Sequence, residues 1–106
     1  MKARKKRLRS IHPGEILHQD FLLALNIGMN RLAMDLHVPV TRIAEIVHGR
    51  RAITTDTALR LSRYFNTSAH FWLNLQKDYE LEVAEDAVQA LIDQQIRPLA
   101  ELGPAR

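Results

Sequence analysis

Apolar residues recur along this chain at three- and four-residue intervals. No convincing stretch alternates apolar with polar residues as a half-buried strand would. The pattern predicts an all-α protein of five or six short helices. The first helix starts near Pro13, because proline lacks an N–H that would be unpaired there anyway. His12 stands at its cap and Glu15 at its third position, where a carboxylate suits the positive end of a helix. Ile11 and Ile16 are spaced as a hydrophobic staple. Leu17, Phe21, Ala24 and Leu25 continue one apolar face, and Asn26 with Gly28 breaks the helix.

A short second helix is expected over Met29–Leu36, with Leu32, Ala33 and Leu36 inward. His37-Val38-Pro39 reads as a turn, and a third helix runs from about Pro39 to His48, stopped by Gly49. Thr54 or Thr55 caps a fourth helix through Tyr64, with Ala58, Leu61 and Phe65 inward. Asn66 ends it and Ser68 caps a fifth, in which Phe71, Trp72, Leu75 and Tyr79 fall at helical spacing. A last amphipathic segment carries Leu81, Ala84, Val88, Leu91 and Ile92 and ends before Pro98. The resulting division is an arm over 1–10, read as disordered, a domain over 11–81 and a C-terminal helix and tail over 82–106.

Met29 to His48 meets the demands of a helix-turn-helix. Two helices crossing closely need a small residue at the crossing, and Ala33 supplies it. Leu32, Leu36, Val38, Ile43 and Ile46 fill the apolar positions that hold such a pair together. The turn wants a positive φ, usually given by glycine, and here His37 must adopt it. Phased at 100° per residue, the third helix turns Ile43, Ile46 and Val47 inward. Thr41, Glu45 and His48 then face outward, flanked by Arg42 and Ala44. In a DNA complex that outer face enters the major groove. Arg42 suits guanine O6 and N7, Glu45 a cytosine amino group, and Thr41 a base edge or phosphate. Arg50 and Arg51, just past the helix, suit phosphates. Arg31 completes the candidate DNA-contacting set.

Charge supports that reading. Lys2, Arg4, Lys5, Lys6, Arg7 and Arg9 are six of the 15 basic residues, and the remaining nine face 12 acids. From Arg31 to Arg63 six arginines meet three acids, whereas seven acids crowd the stretch from Asp78 to Glu101. The front two-thirds of the chain therefore suits a polyanion. With 106 residues there is room for one domain and a modest core. The chain has no cysteine, which removes disulfides, zinc–thiolate sites and thiol nucleophiles and fits a reducing cytoplasm. No apolar run reaches the roughly 18 residues of a membrane span, and no apolar stretch follows the basic start as in a secretory signal.

Glu15/His18 and Glu45/His48 share the Glu-x-x-His spacing of di-iron bundles. Such a site needs glutamates from two further helices, and the phase of the third helix turns Glu45 and His48 outward. His12 and His70 read as helix-start residues. No glycine-rich phosphate loop, nucleophile with a base, or carboxylate pair is evident, so no catalytic residue, metal or cofactor is expected. An operator-reading helix-turn-helix usually spans two half-sites. A homodimer is therefore expected, with Phe71, Trp72, Leu81, Val88 and Leu91 as candidate contacts.

The ordered blocks His12-Pro13-Gly14-Glu15-Ile16-Leu17, Arg31-Leu32-Ala33, Thr41-Arg42-Ile43, Gly49-Arg50-Arg51-Ala52-Ile53-Thr54, Ala58-Leu59-Arg60-Leu61 and Phe71-Trp72-Leu73-Asn74-Leu75-Gln76 resemble the HigA antitoxin family, also labelled virulence-associated protein I. The resemblance covers about residues 11–81. It implies a repressor-type helix-turn-helix fold, dimerisation, binding to an operator, and a RelE-like ribonuclease toxin as cognate partner. Two positions depart from the family pattern: Ala44, where asparagine is frequent, and Val40, where proline is. Ala44 has no side-chain donor for a base. The expected function is a cytoplasmic, sequence-specific repressor that neutralises a toxin and represses its own operon. Two alternatives stay open: an orphan repressor without a toxin, and an interaction adaptor that has lost DNA binding.

Overall fold

The computed structural model describes residues 10–103, so the basic residues expected in the arm, Lys2 to Arg9, lie outside the described part. Helix α1 opens as an α-helical turn, Pro13–Ile16, and continues without a break into a π-helical stretch, Leu17–Leu23. His12 caps it as expected: its Nδ1 accepts a hydrogen bond from the Gly14 N–H at 2.9 Å. The apolar face of α1 differs from the expected one. Leu17 and Leu22 are buried and Phe21 is half-buried, but Ala24 and Leu25 are exposed. A π-helix bonds residues five apart, so the inward position after Leu17 moves to Leu22, and a 3.6-residue period falls short of it. The helix closes at Asn26, φ 55°, with the Ile27 N–H donating to the Leu22 carbonyl at 2.9 Å.

Helices α2 (Met29–Leu36) and α3 (Val40–Val47) form the helix-turn-helix at the expected positions. His37 takes the left-handed conformation foreseen for the turn, φ 60° and ψ 45°. Ala33 is buried between the helices. Gly14 makes a second close approach, because a Cβ there would overlap the Ile46 carbonyl oxygen at the end of α3. Thus α1 lies directly on the backbone of α3.

Helix α4 (Thr55–Phe65) is capped by the Thr54 hydroxyl, which accepts from the Thr57 N–H at 3.4 Å. Helix α5 (Ala69–Gln95) is capped by Ser68, whose hydroxyl accepts from the Phe71 N–H at 3.0 Å. The fifth helix and the last amphipathic segment are one continuous helix of 27 residues. A 3-10 turn, Leu99–Leu102, follows.

The core gathers Leu17, Leu22, Leu32, Ala33, Leu36, Ile43, Ile46, Ile53, Ala58, Leu61 and Trp72. Each fully buried leucine or isoleucine contributes about 1.5–3 kcal/mol relative to exposure. Trp72 packs against Phe21 with ring centroids 4.9 Å apart and planes tilted by 49°, and donates its indole N–H to the Thr67 hydroxyl at 2.8 Å. Buried Gln76 satisfies a loop: its Oε1 accepts the Ile53 N–H at 2.8 Å, while its Nε2 donates to Glu80 at 2.9 Å. Beyond Gln76 no residue of α5 is buried. The helix leaves the core as a rod, which accounts for dimensions of 60 × 30 × 21 Å.

Protonation of His12 is expected to destabilise the fold. Burial lowers its pKa, partly offset by the charge of Glu15. The neutral ring is the form whose Nδ1 can accept the Gly14 N–H. A depressed folded pKa contributes stability that is full above the unfolded value, about 6.5. It is lost as pH falls below that value, because the unfolded chain then binds more protons. The melting temperature is expected to fall between pH 7.5 and 5.5. His12→Asn keeps a capping oxygen and is expected to flatten that slope, at a cost of roughly 1 kcal/mol at neutral pH. Circular-dichroism melts of both proteins across this range check it; parallel curves would assign the slope to other groups.

Candidate nucleic-acid interface

Helix α3 is fixed by Ile43 and Ile46, both fully buried. Opposite them Thr41 and His48 are exposed, while Ala44 and Glu45 are half-buried. The His48 Nδ1 lies 2.8 Å from the Ala44 carbonyl. A carbonyl accepts, so Nδ1 carries the proton and Nε2 is left for an outside partner. Glu45 accepts from the Arg51 Nε at 2.7 Å, tying the helix to the loop behind it.

Arg42 follows the flank of α3 towards α4. Its Nη1 donates to Asp56 Oδ2 at 2.8 Å, and its side chain is 28% exposed. The same carboxylate oxygen accepts from the Arg60 Nε at 3.0 Å. The guanidinium groups of Arg60 and then Arg42 hold the Asp56 carboxyl below its ordinary range. An open cleft of about 390 Å³ lies here, lined by Arg42, Arg51, Thr54, Asp56 and Arg60 among others. Asp56 offsets part of the charge of the three arginines, and the cleft keeps a basic excess beside α3.

Arg50 is exposed and forms no ion pair among the described residues. Arg31 stands in the first turn of α2, 67% exposed, with its Nε 3.4 Å from Asp35. The Tyr64 hydroxyl also donates to Asp35, at 2.6 Å, and with Arg31 lowers its pKa. Thus α3 and the loop after it bring Thr41, Arg42, Glu45, His48, Arg50 and Arg51 together, with Arg31 on the neighbouring helix. Of the residues expected to meet a second copy, Phe71, Leu81, Val88 and Leu91 are exposed. Trp72 is fully buried in its own protomer, so it has no surface to offer a partner.

Four residues at or behind this site escaped sequence reasoning. Asp56 and Arg60 carry a readable signal, the four-residue spacing of a helical ion pair. The reach of Asp56 to Arg42 and of Gln76 to Ile53 crosses between elements and leaves no such signal, nor does the approach of Gly14 to α3. Glu45 and His48 are bonded elsewhere, and among the described residues no three His, Cys, Asp or Glu side chains gather as metal ligands. Among the same residues no helix is long and apolar enough to cross a membrane.

A short helix held by its apolar side across a tight turn, with polar residues outward and arginines behind it, defines a helix-turn-helix DNA-binding protein. Residues 20–72 match the helix-turn-helix family. The chain is 47% identical over 89 residues to virulence-associated protein I of Dichelobacter nodosus, covering 84% of this chain and 82% of that protein. It also resembles the structure of Pseudomonas aeruginosa antitoxin HigA with the higBA promoter, at 46% identity and a TM-score of 0.84, over 86% of this chain and 99% of that one. An addiction-module antidote protein of the HigA family from Coxiella burnetii matches at 41% identity and a TM-score of 0.81, over 86% and 99%. The chain belongs to the HigA family of antitoxins. It is a helix-turn-helix transcription regulator and not an enzyme.

Proposed function

We propose that this chain represses its own promoter as a homodimer and neutralises a ribonuclease toxin encoded beside it in the cytoplasm. The observation that carries the DNA-binding half is the exposed polar face of α3, with Arg50 and Arg51 in the loop behind it. Thr41, Glu45 and His48 face the bases, with Arg42 at their flank. Arg31, Arg50 and Arg51 hold phosphates, which set affinity and orientation. The dimer places two α3 helices about one DNA turn apart. Phe71 and the exposed stripe of Leu81, Val88 and Leu91 join the copies. Residues 11–81 carry the DNA-binding unit, and the chain from 82 onward extends it towards protein partners. The toxin reading is supported by the family relationship.

Changing Arg50 and Arg51 together to alanine is expected to weaken binding to every duplex alike. The salt slope of binding should fall by about 0.9 for each phosphate no longer neutralised. Titrations at several salt concentrations, on promoter and scrambled duplexes, check this. A double variant that alters which duplex is preferred, at unchanged slope, would place these arginines on bases. Co-expression with the neighbouring small open reading frame, read by pull-down and growth rescue, tests the toxin half. Promoter binding without rescue identifies an orphan repressor, and neither result leaves an adaptor.

A further inference from the structure

Among the described residues, Arg42 is the one candidate base reader whose side chain is tied to a different helix. Its Nη1 donates to Asp56 Oδ2 at 2.8 Å. That oxygen also accepts from the Arg60 Nε at 3.0 Å, and the Arg60 Nη1 donates to the Leu36 carbonyl at 2.8 Å. One line of charge-assisted bonds therefore runs from the last residue of α2, through α4, to the reading helix. The carboxylate at its centre is well anchored. Asp56 lies in the first turn of α4, where negative charge suits the helix end. Ala58 and Leu61 hold that helix in the core.

We propose that Asp56 is a specificity-determining positioning residue, which fixes the guanidinium of Arg42 for a single base pair. This rests on the reading that α3 enters the major groove. A guanidinium has five N–H donors in a rigid fork. Asp56 engages Nη1 and leaves Nη2 and Nε for the paired acceptors of guanine. An arginine already held loses less conformational freedom on binding than one swinging in solvent. Arg42 fits that description: its side chain is 28% exposed, against 67% for Arg31 and 47% for Arg51. Asp56 itself carries a negative charge beside a polyanion, so its contribution is to selectivity rather than to general affinity.

The test uses the full chain and a duplex selected by it from a random library, with a scrambled duplex of equal length. Asp56→Ala is expected to lower the preference for the selected duplex tenfold or more. Affinity for the scrambled duplex should hold or rise, because a like charge has been removed. Arg42→Ala should lose the same preference, and the double variant no more than Arg42→Ala alone, since the two act as one unit. Asp56→Glu, which restores the carboxylate, should recover part of the preference. A purely structural Asp56 would lower the melting temperature and both affinities together, which would overturn the proposal. A preference that rises in Asp56→Ala would also overturn it, by showing that Asp56 masks Arg42. If the unaltered chain selects no duplex, the DNA-reading assignment itself fails. If it selects one and Arg42→Ala keeps the full preference, the assignment stands and the role given to Asp56 falls.

Discussion

Gly14→Ala is expected to lower stability by about 3 kcal/mol, at the upper end for overpacking a core. The added Cβ meets the Ile46 carbonyl oxygen, which is backbone and has no rotamer to escape into. Relief requires α1 to lift off α3, and that movement would loosen the packing of Leu17 in the core and the cap made by His12. For a domain of this size the melting temperature should drop by roughly 10–20 °C. Gly28→Ala is the control, because nothing lies within 4 Å of its added Cβ and its φ is −81°. It should stay within about 0.5 kcal/mol. Thermal melts of the two variants decide the matter: equal melting temperatures would mean that α1 does not press on α3.

Glutamates at Leu81, Val88 and Leu91 together are expected to convert a dimer into a monomer. Affinity for the promoter should fall a hundredfold or more, because the two half-sites would no longer be bound as one event. The three residues share a helical stripe on the part of α5 that has left the core, and all are exposed in the protomer. The protomer should therefore stay folded, each exposed change costing within about 0.5 kcal/mol. This test is cleaner than cutting the chain after Gln76, which would also remove Glu80 and Tyr79, partners of Gln76 and His12. Analytical ultracentrifugation with promoter titration gives the answer. A triple variant that remains a dimer with unchanged affinity would place the interface elsewhere.

The helix-turn-helix was legible because each of its demands falls on a residue type within one short window. Ala33 is small, His37 accepts a positive φ, and Ile43 and Ile46 set the phase of α3. The caps at His12 and Ser68 were legible for the same reason, since a cap acts within three residues; for α4 the sequence left Thr54 and Thr55 open, and Thr54 is the cap. Two things were not. The π-helical stretch from Leu17 to Leu23 breaks the 3.6-residue turn, so Leu25, which the α-helical period points inward, lies outside. Bonds that join distant elements, such as Arg42 to Asp56, depend on how helices pack and not on spacing along the chain. The outward phase of α3 was readable, but the flank on which Arg42 is held was not.

The projecting rod of α5 separates two kinds of evolutionary change. Adding or removing one residue beyond Glu80, past the contacts of Tyr79 with His12 and of Glu80 with Gln76, turns everything after it by about 100° around the axis and moves it by about 1.5 Å. No core residue need shift, because none of α5 is buried past that point. In the proposed dimer this alters the distance between the two reading helices while Thr41, Arg42 and His48 stay as they are. Changes on α3 do the opposite, altering base choice at constant spacing. In the proposed dimer, half-site spacing and base choice can therefore change independently of each other.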